Sequence, residues 1–600
     1  MPLADLAQPP TPVEGEIVVD GIGVSPGVAI GPAYVYAAGA YQASRESLSP
    51  EAVEAEVERF ERAVARSERE LRKITTIARR KLSDDSAGIF EAQRMVLRDS
   101  QFFDRVVAAV RERQMGAGWA VQEVIGALRT RMNASASPVL RDRADDFLDV
   151  QNRVLRNLQQ GRAVSRIDRD HVVVARALTA ADVLLFSRHG VLGCVIDHGG
   201  PAGHVAIMAR ALGIPSVAGV PGLAARVSPG DEVIVDGFSG RVVVNPSAET
   251  RARYAEKQHR VERLDEDRAA IVAAPSETAD GVPIALRANV ELPEELPTLA
   301  EYGAEGVGLF RTEMLFLTQG RALEEEQQLD VYREAVRAAA PHAVTFRLLD
   351  LGGDKVLPMA HREDNPFLGW RGLRILLDKP DLLRPQLRAI LRAAVDAPAA
   401  APPRIMLPMV SDLDEVRTAR AAIRDAAAAL DAEGVPHRAE LPVGIMVEVP
   451  SVALMAERFA RLSDFFSIGT NDLTQFTLAV DRGNSLVASR FRELDPSVLT
   501  LIARTVEAAQ TRGIPVSVCG EMAGDPRVTP LLVGLGVTAL SASPAYLALV
   551  KRVLRETTIT EARDLALRAL RQPDADAVGR LLDYWMQCHN RELAALLATE

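Results

Sequence analysis

Hydrophobic and polar positions change texture several times along the chain. Residues 1–16 carry Pro and Ala without periodicity and are expected to form a loose tail. The run EIVVDGIGVSPGVAIGPAYVY sets short β-branched stretches between Gly and Pro, which predicts strands and turns. At Ser47-Leu48-Ser49-Pro50 the period changes. Val53, Val57, Phe60 and Val64 recur at helical spacing on a background of Glu51, Glu54, Glu56, Glu58 and Glu61. Further helices follow through IFEAQRMVLRD, FFDRVVAAVRER and WAVQEVIGALRTRM. Strand texture returns at residues 171–178, 193–200 and 231–245. The economical reading is one α/β domain built from residues 17–46 and 162–246, interrupted by a helical bundle over 47–161.

A charged helix over 249–274, inside a linker over 247–279, lacks a clean apolar stripe and is expected to be a solvated connector. Beyond it, eight strand-like runs alternate with mostly helical intervals: IALRANV, GVGLFRT, VTFRLLDLG, RIMLPMV, VGIMVEV, FFSIGTN, PVSVCGE and TALSAS. That alternation predicts a (β/α)8 barrel over 280–600, with additional helices at its C-terminal end.

Composition narrows the class. The 600 residues exceed what one core organises, and 48% apolar with 25% charged residues is ordinary for globular chains. The net charge of −11 argues against a nucleic-acid or anionic-membrane partner, while leaving room for a local anion site made of a few arginines. Three cysteines make neither a disulfide framework nor a zinc-ligand spacing. No signal peptide and no membrane span are visible, so a cytoplasmic protein is expected.

In a barrel of this kind the chemistry gathers at the C-terminal ends of the strands. Reading those ends gives Arg311, then Arg347 with Asp350 and Lys355, then Glu448, then Asn471 and Asp472 with Arg482 a few residues on, then Cys519-Gly520-Glu521. Converging arginines suit a small substrate with more than one anionic group, because the guanidinium fork grips carboxylate or phosphate bidentately. Glu448 and Asp472 suit a hard divalent cation that keeps waters and substrate oxygens as its other ligands, although the same two carboxylates could simply pair with the arginines. A buried cysteine such as Cys519 is by itself more often a small hydrophobe than a reactive thiol.

A second feature stands in the α/β domain. In GCVIDHGGPAGHVAIMARALGIPSVAG a buried strand runs into Gly199-Gly200, and His204 opens a helix. Glycines let the backbone approach a ligand, and a helix N-terminus favours negative charge, so a histidine there can accept a phosphoryl group. His198 lies in the same loop, and position alone does not choose between them.

GIGVSPGVAIGPA, the GGxxxHVAIMAR run, GVGLFRTEMLF, LDLGGDK, NPFLGWRGLR, FSIGTNDLTQFTLAVDRGN and CGEMAGD together resemble Enzyme I of the bacterial phosphoenolpyruvate-dependent phosphotransferase system, nearly end to end. The resemblance implies a multidomain α/β protein: a swivelling phosphohistidine domain carrying a helical insertion that docks the carrier protein HPr, followed by a phosphoenolpyruvate-binding barrel through which the chain forms a homodimer. It implies that His204 is phosphorylated, that Arg311, Arg347 and Arg482 hold the substrate with Asn471 and the Asn471–Asp472 backbone beside them, and that Glu448 and Asp472 bind Mg2+. It further implies that Cys519 protonates the enolate carbon to give pyruvate, with Lys355 and Arg371 as second contributors to the anion site. One departure stands out. The family commonly places hydroxyl side chains before the histidine, and this chain has Pro201-Ala202-Gly203. Pyruvate phosphate dikinase and phosphoenolpyruvate synthase share the histidine domain and barrel but need a large nucleotide domain, for which the residues before the histidine domain leave little room. A regulatory phosphorelay enzyme with other downstream partners, or a binding scaffold without catalysis, are the remaining alternatives.

Overall fold

The computed structural model describes residues 15–36, 48–81, 93–133 without 95, 147, 150–158 without 152 and 156, 170–198 without 179, 204–352 without 292 and 320–322, 363, and 365–597 without 483 and 485–486. These fall into two compact bodies, one ending at Leu264 and one running from Asp265.

The first body is built on an eight-stranded mixed sheet. In chain order its strands are β1 (Ile17–Asp20), β2 (Ile22–Ser25), β3 (Val28–Tyr36), β4 (Val172–Ala175), β5 (Gly193–Ile196), β6 (Ser216–Ala218), β7 (Glu232–Asp236) and β8 (Arg241–Val244). They lie in the order β1-β8-β7-β3-β4-β5-β6-β2. β3 to β6 run parallel, and β4 and β5 are buried at every position, as expected of parallel strands covered on both faces. The strands before and after the helical segment therefore join one sheet. The helices Val53–Lys81, Ser100–Arg113 and Ala117–Asn133 bury Phe60, Phe102, Val106 and Val121 in a core that also contains Tyr36, Val173 and Phe186.

The charged helix Ala248–Glu266 departs from the expectation of a purely solvated connector. Tyr254 packs with Val28, Ile234 and Val243 of the sheet, and Lys257 Nζ donates to buried Asp236 Oδ2 at 2.6 Å. Arg251 pairs with Glu232 of β7 as well, so a few scattered side chains dock a helix that carries no apolar stripe, and the hydropathy pattern gave no sign of it.

The second body is a closed, all-parallel barrel with the strands in sequence order: β9 (Ala285–Val290), β10 (Val307–Arg311), β11 (Val344–Arg347), β12 (Arg404–Leu407), β13 (Val443–Val447), β14 (Phe466–Ile468), β15 (Val516–Val518) and β16 (Ala539–Ala542), which closes on β9. All eight fall inside the expected runs. Local sequence sets the helices between them. Asp412 and Glu415 form a capping box at the start of Leu413–Glu433, and Gly434 ends that helix in the left-handed conformation. Asp495 and Pro496 open Pro496–Arg512 in the same spirit, and Gly513 closes it. The β9–β10 connection is the exception, with a short 3-10 turn over Pro293–Thr298.

A buried polar network behind β10 and β11 joins this core to the strand ends. Gln386 Nε2 donates to Thr312 Oγ1 and to the Tyr332 hydroxyl, each at 3.2 Å, and its Oε1 accepts from the Leu349 amide at 3.0 Å. Thr312 Oγ1 donates in turn to the Arg347 carbonyl at 3.0 Å. The ring of Tyr332 packs on Phe310 and Phe346. Gln386 thus ties together the segments that follow Arg311 and Arg347. Gln386→Met keeps the volume and leaves buried donors and acceptors unpaired, so we predict that it lowers the stability of the barrel by roughly 1–3 kcal/mol in urea unfolding of the full chain. An unchanged midpoint would mean that the network is dispensable.

Candidate active site at the C-terminal mouth of the barrel

Side chains that follow four strands of the barrel, β10, β11, β13 and β14, meet in one charged network. Arg347, the last residue of β11, donates from Nη2 to Glu313 Oε1 at 2.9 Å, and its Nη1 lies 3.3 Å from Asp350 Oδ2. Arg371 grips Asp350 bidentately, Nε to Oδ1 at 3.1 Å and Nη2 to Oδ2 at 2.7 Å, and the same Nη2 reaches Asp472 Oδ2 at 3.5 Å. Close packing holds this arrangement. Gly372 has φ +60°, and a Cβ there would come within 2.9 Å of Asp350 Oδ1. The Asp350 amide donates to Glu313 Oε1 at 3.0 Å.

Glu448 follows β13 and is fully enclosed, its Oε1 accepting from the Met409 amide at 2.6 Å. Asp472 sits in the first turn of the helix Thr470–Leu478, directly after β14. Burial, and then the charges of Asp472 and Asp350, push the Glu448 carboxyl up to about 8, against the pull of Arg347 and the Met409 amide. Burial works against the charge of Arg347, yet Glu313, Asp350, Glu448 and Asp472 outweigh it and raise its pKa. The same contest raises Arg371.

Several buried polar atoms of this cluster have no protein partner among the described residues: Asp472 Oδ1, Glu313 Oε2, and Nε of both Arg311 and Arg347. In a protein interior such atoms are costly unless something else binds them. Two of the four are oxygens on carboxylates and two are guanidinium donors, which is the complement of a cation together with an anion. Glu448 and Asp472 supply hard oxygen donors, and two carboxylates are what Mg2+ takes when substrate oxygens and water complete its shell. The donor set fits that ion.

The expected residues that lie among the described ones can now be placed. Arg347, Arg371, Glu448 and Asp472 belong to the network. Arg311 stands at its edge, paired with Glu291. Asn471 fixes the neighbouring turn, its Oδ1 accepting from the Glu521 amide at 2.9 Å and its Nδ2 donating to Glu521 Oε1 at 3.2 Å. Cys519, just past β15, lies in a buried apolar layer with Leu309, Met406, Met446 and Phe465. Arg347 Nη1 contacts the Met446 sulfur of that layer at 3.6 Å. Burial raises the Cys519 pKa above that of an ordinary thiol, so the group stays protonated. Arg482 is exposed and outside the network; its charge acts on Glu493, which burial and the charges of Glu521 and Asp525 push up to about 8. Lys355 and Pro201-Ala202-Gly203 lie outside the described residues. His204 opens the helix His204–Ala211 as expected, its side chain lying outside the described ones, and His198 is exposed.

Sequence reasoning passed over Glu291, which directly follows β9, and the pairing role of Glu313, two residues past β10, although the rule used for the arginines would have found them. Glu493 carried no signal, because it lies far from any strand end in sequence.

Comparison with known proteins settles the family. Residues 265–559 match the PEP-binding domain of PEP-utilising enzymes, residues 20–143 their N-terminal domain, and residues 167–240 their mobile domain. The phosphoenolpyruvate-protein phosphotransferase of Staphylococcus carnosus is 37% identical, covering 94% of this chain and 98% of its own. Those of Bacillus subtilis and Haemophilus influenzae are 36% and 34% identical, covering 93% and 95% of this chain and 98% and 99% of their own. The chain belongs to the phosphoenolpyruvate-protein phosphotransferase family. For a phosphotransferase of this family the matched PEP-binding domain is the barrel, and the matched mobile domain contains the histidine loop and β4 to β7.

The enclosed carboxylate pair makes a pH prediction. The folded-state pKa of Glu448 lies above its ordinary 4.5, so its protonated form stabilises the metal-free protein fully below about 4.5, and that contribution is lost as pH rises through about 8. In the presence of chelator, the thermal midpoint of the native chain is expected to fall between pH 6 and pH 8.5 by more than that of Glu448→Gln. Parallel pH profiles for the two would show that Glu448 does not titrate in this range.

Proposed function

We propose that this phosphotransferase moves the phosphoryl group of phosphoenolpyruvate to its own His204, releases pyruvate, and passes the group to a histidine of the carrier protein HPr, the first step of a sugar phosphotransferase system. The observation that carries the reading is the Arg347–Asp350–Arg371–Asp472 network beside enclosed Glu448, with carboxylate and guanidinium atoms left unpartnered within it.

Phosphoryl transfer asks a protein mainly for positioning and charge neutralisation. Arg347 and Arg311 would hold the phosphate and carboxylate of the substrate, with Arg371 and Lys355 as further contributors and Arg482 closing over them. Asn471, locked to Glu521, would orient the turn that carries Asp472. Glu448 and Asp472 would hold Mg2+, which when bound supplies positive charge to the phosphoryl oxygens. The His204 ring nitrogen attacks phosphorus, the bond from phosphorus to the enol oxygen breaks, and the enolate retains that electron pair. Cys519 Sγ then gives its proton to the terminal carbon, forming pyruvate, and regains a proton from solvent. A thiol kept protonated by burial suits that step, and the apolar layer around it excludes competing water.

In this reading the helical segment docks HPr, and the enzyme works in the cytoplasm as a homodimer through the barrel. No helix among the described residues is long and apolar enough to cross a membrane. The loop before His204 offers no hydroxyl to the phosphoryl group, so backbone amides at the helix start would carry that role.

The test is labelling by phosphoenolpyruvate and Mg2+ of the native chain, His204→Ala and His198→Ala, followed by addition of HPr. Acid-labile label is expected on the native and His198→Ala chains, none on His204→Ala, with transfer to HPr. Label that survives loss of His204 would place the nucleophile elsewhere.

A further inference from the structure

The barrel has a second mouth, at the N-terminal ends of its strands. An open cavity of about 280 Å³ lies there, lined by Arg287, Arg404, His342 and Glu305, with prolines and alanines around them. Both arginines belong to barrel strands. Along β9, Arg287 and Asn289 share a face, and Asn289 donates to the Cys519 carbonyl and accepts from Ser541 Oγ, so this face looks into the barrel. Arg404 opens β12, and its guanidinium lies 5.6 Å from the centre of the Phe465 ring.

The two guanidiniums differ from those of the active site in one respect. Arg347 and Arg371 are each tied to carboxylates. Arg287 and Arg404 have no hydrogen-bond or ion-pair partner among the described residues, although both are largely buried. Burial, and then the charge of Arg404, depress Arg287 to about 10, which Glu305 only partly offsets. Two like charges crowded into one cavity, with a single carboxylate on its wall, leave an excess of donors that an anion would satisfy. The volume accommodates one small anion with a few waters. The site is separate from the active site. The apolar layer of Leu309, Met406, Met446, Phe465 and Cys519 lies between them, touched by Arg347 at Met446 and by Arg404 at Phe465.

We propose that the N-terminal mouth of the barrel binds a small oxyanion, a phosphate or carboxylate group held between Arg287 and Arg404. His342 on the cavity wall is the natural reporter. The full-length protein is titrated with inorganic phosphate and, separately, with malonate, while the ring resonance of His342, identified with His342→Asn, is followed. A saturating shift is expected with at least one probe, and the two arms tell which group is preferred. Arg287→Gln and Arg404→Gln should each weaken binding at least roughly tenfold, and Glu305→Gln should tighten it by roughly threefold to tenfold by removing the opposing charge. Absence of saturation in both the native chain and Glu305→Gln would overturn the proposal. So would saturation that persists unchanged in both arginine variants.

Discussion

Among the described residues, the barrel mouth is governed by a surplus of enclosed negative charge. Glu313, Asp350, Glu448 and Asp472 face Arg347 and Arg371, and the two arginines cannot neutralise all four. Glu448 answers by holding its proton to about 8, and Asp472 keeps one oxygen without a partner among the described residues. Such an arrangement is poorly suited to a purely structural ion-pair cluster, which would match its charges. It suits a site completed from outside by a cation and by an anion that bridges cation and arginines. The cost of enclosing these charges is set against the binding that they make possible.

Everything around the cluster serves to keep it in place. Gln386 ties Thr312 and Leu349 to the aromatic packing of Phe310, Tyr332 and Phe346, which fixes the strand ends bearing Arg311 and Arg347. Asn471 and Glu521 lock two neighbouring turns to one another. Below, the apolar layer that holds Cys519 seals the floor and keeps its thiol protonated. The same layer separates the active site from the arginine pair at the opposite mouth. One barrel thus presents two anion-friendly ends with different completeness: at one end the arginines already have carboxylates to order them, and at the other they do not.

Alternation of strands and helices was legible without any structure, because eight short apolar runs separated by mostly helical intervals leave few alternatives. The strand-end rule then located Arg347, Glu448, Asp472 and Cys519, since a parallel barrel delivers those positions to one face. It said nothing about pairing. That Arg371 binds Asp350, and that Arg482 is exposed outside the network, depends on loop conformations set by tertiary contacts such as the tight approach at Gly372. Arg287 and Arg404 were passed over because they lie inside strands, where hydropathy marks a charged residue only as an interruption. The docking of Ala248–Glu266 escaped for a related reason: it is attached to the sheet by scattered contacts, among them the Tyr254 ring and the ion pairs of Lys257 with Asp236 and Arg251 with Glu232.

The central claim is that the barrel mouth is completed jointly by a divalent cation and an anionic substrate. Calorimetry of phosphoenolpyruvate binding to His204→Ala, which should bind without turning over, tests it most directly. With Mg2+ present, binding should be at least about tenfold tighter than in chelator, and the difference should vanish in Glu448→Gln. Equal affinity with and without the metal, unchanged by Glu448→Gln, would contradict the account and leave the carboxylates as partners of the arginines alone.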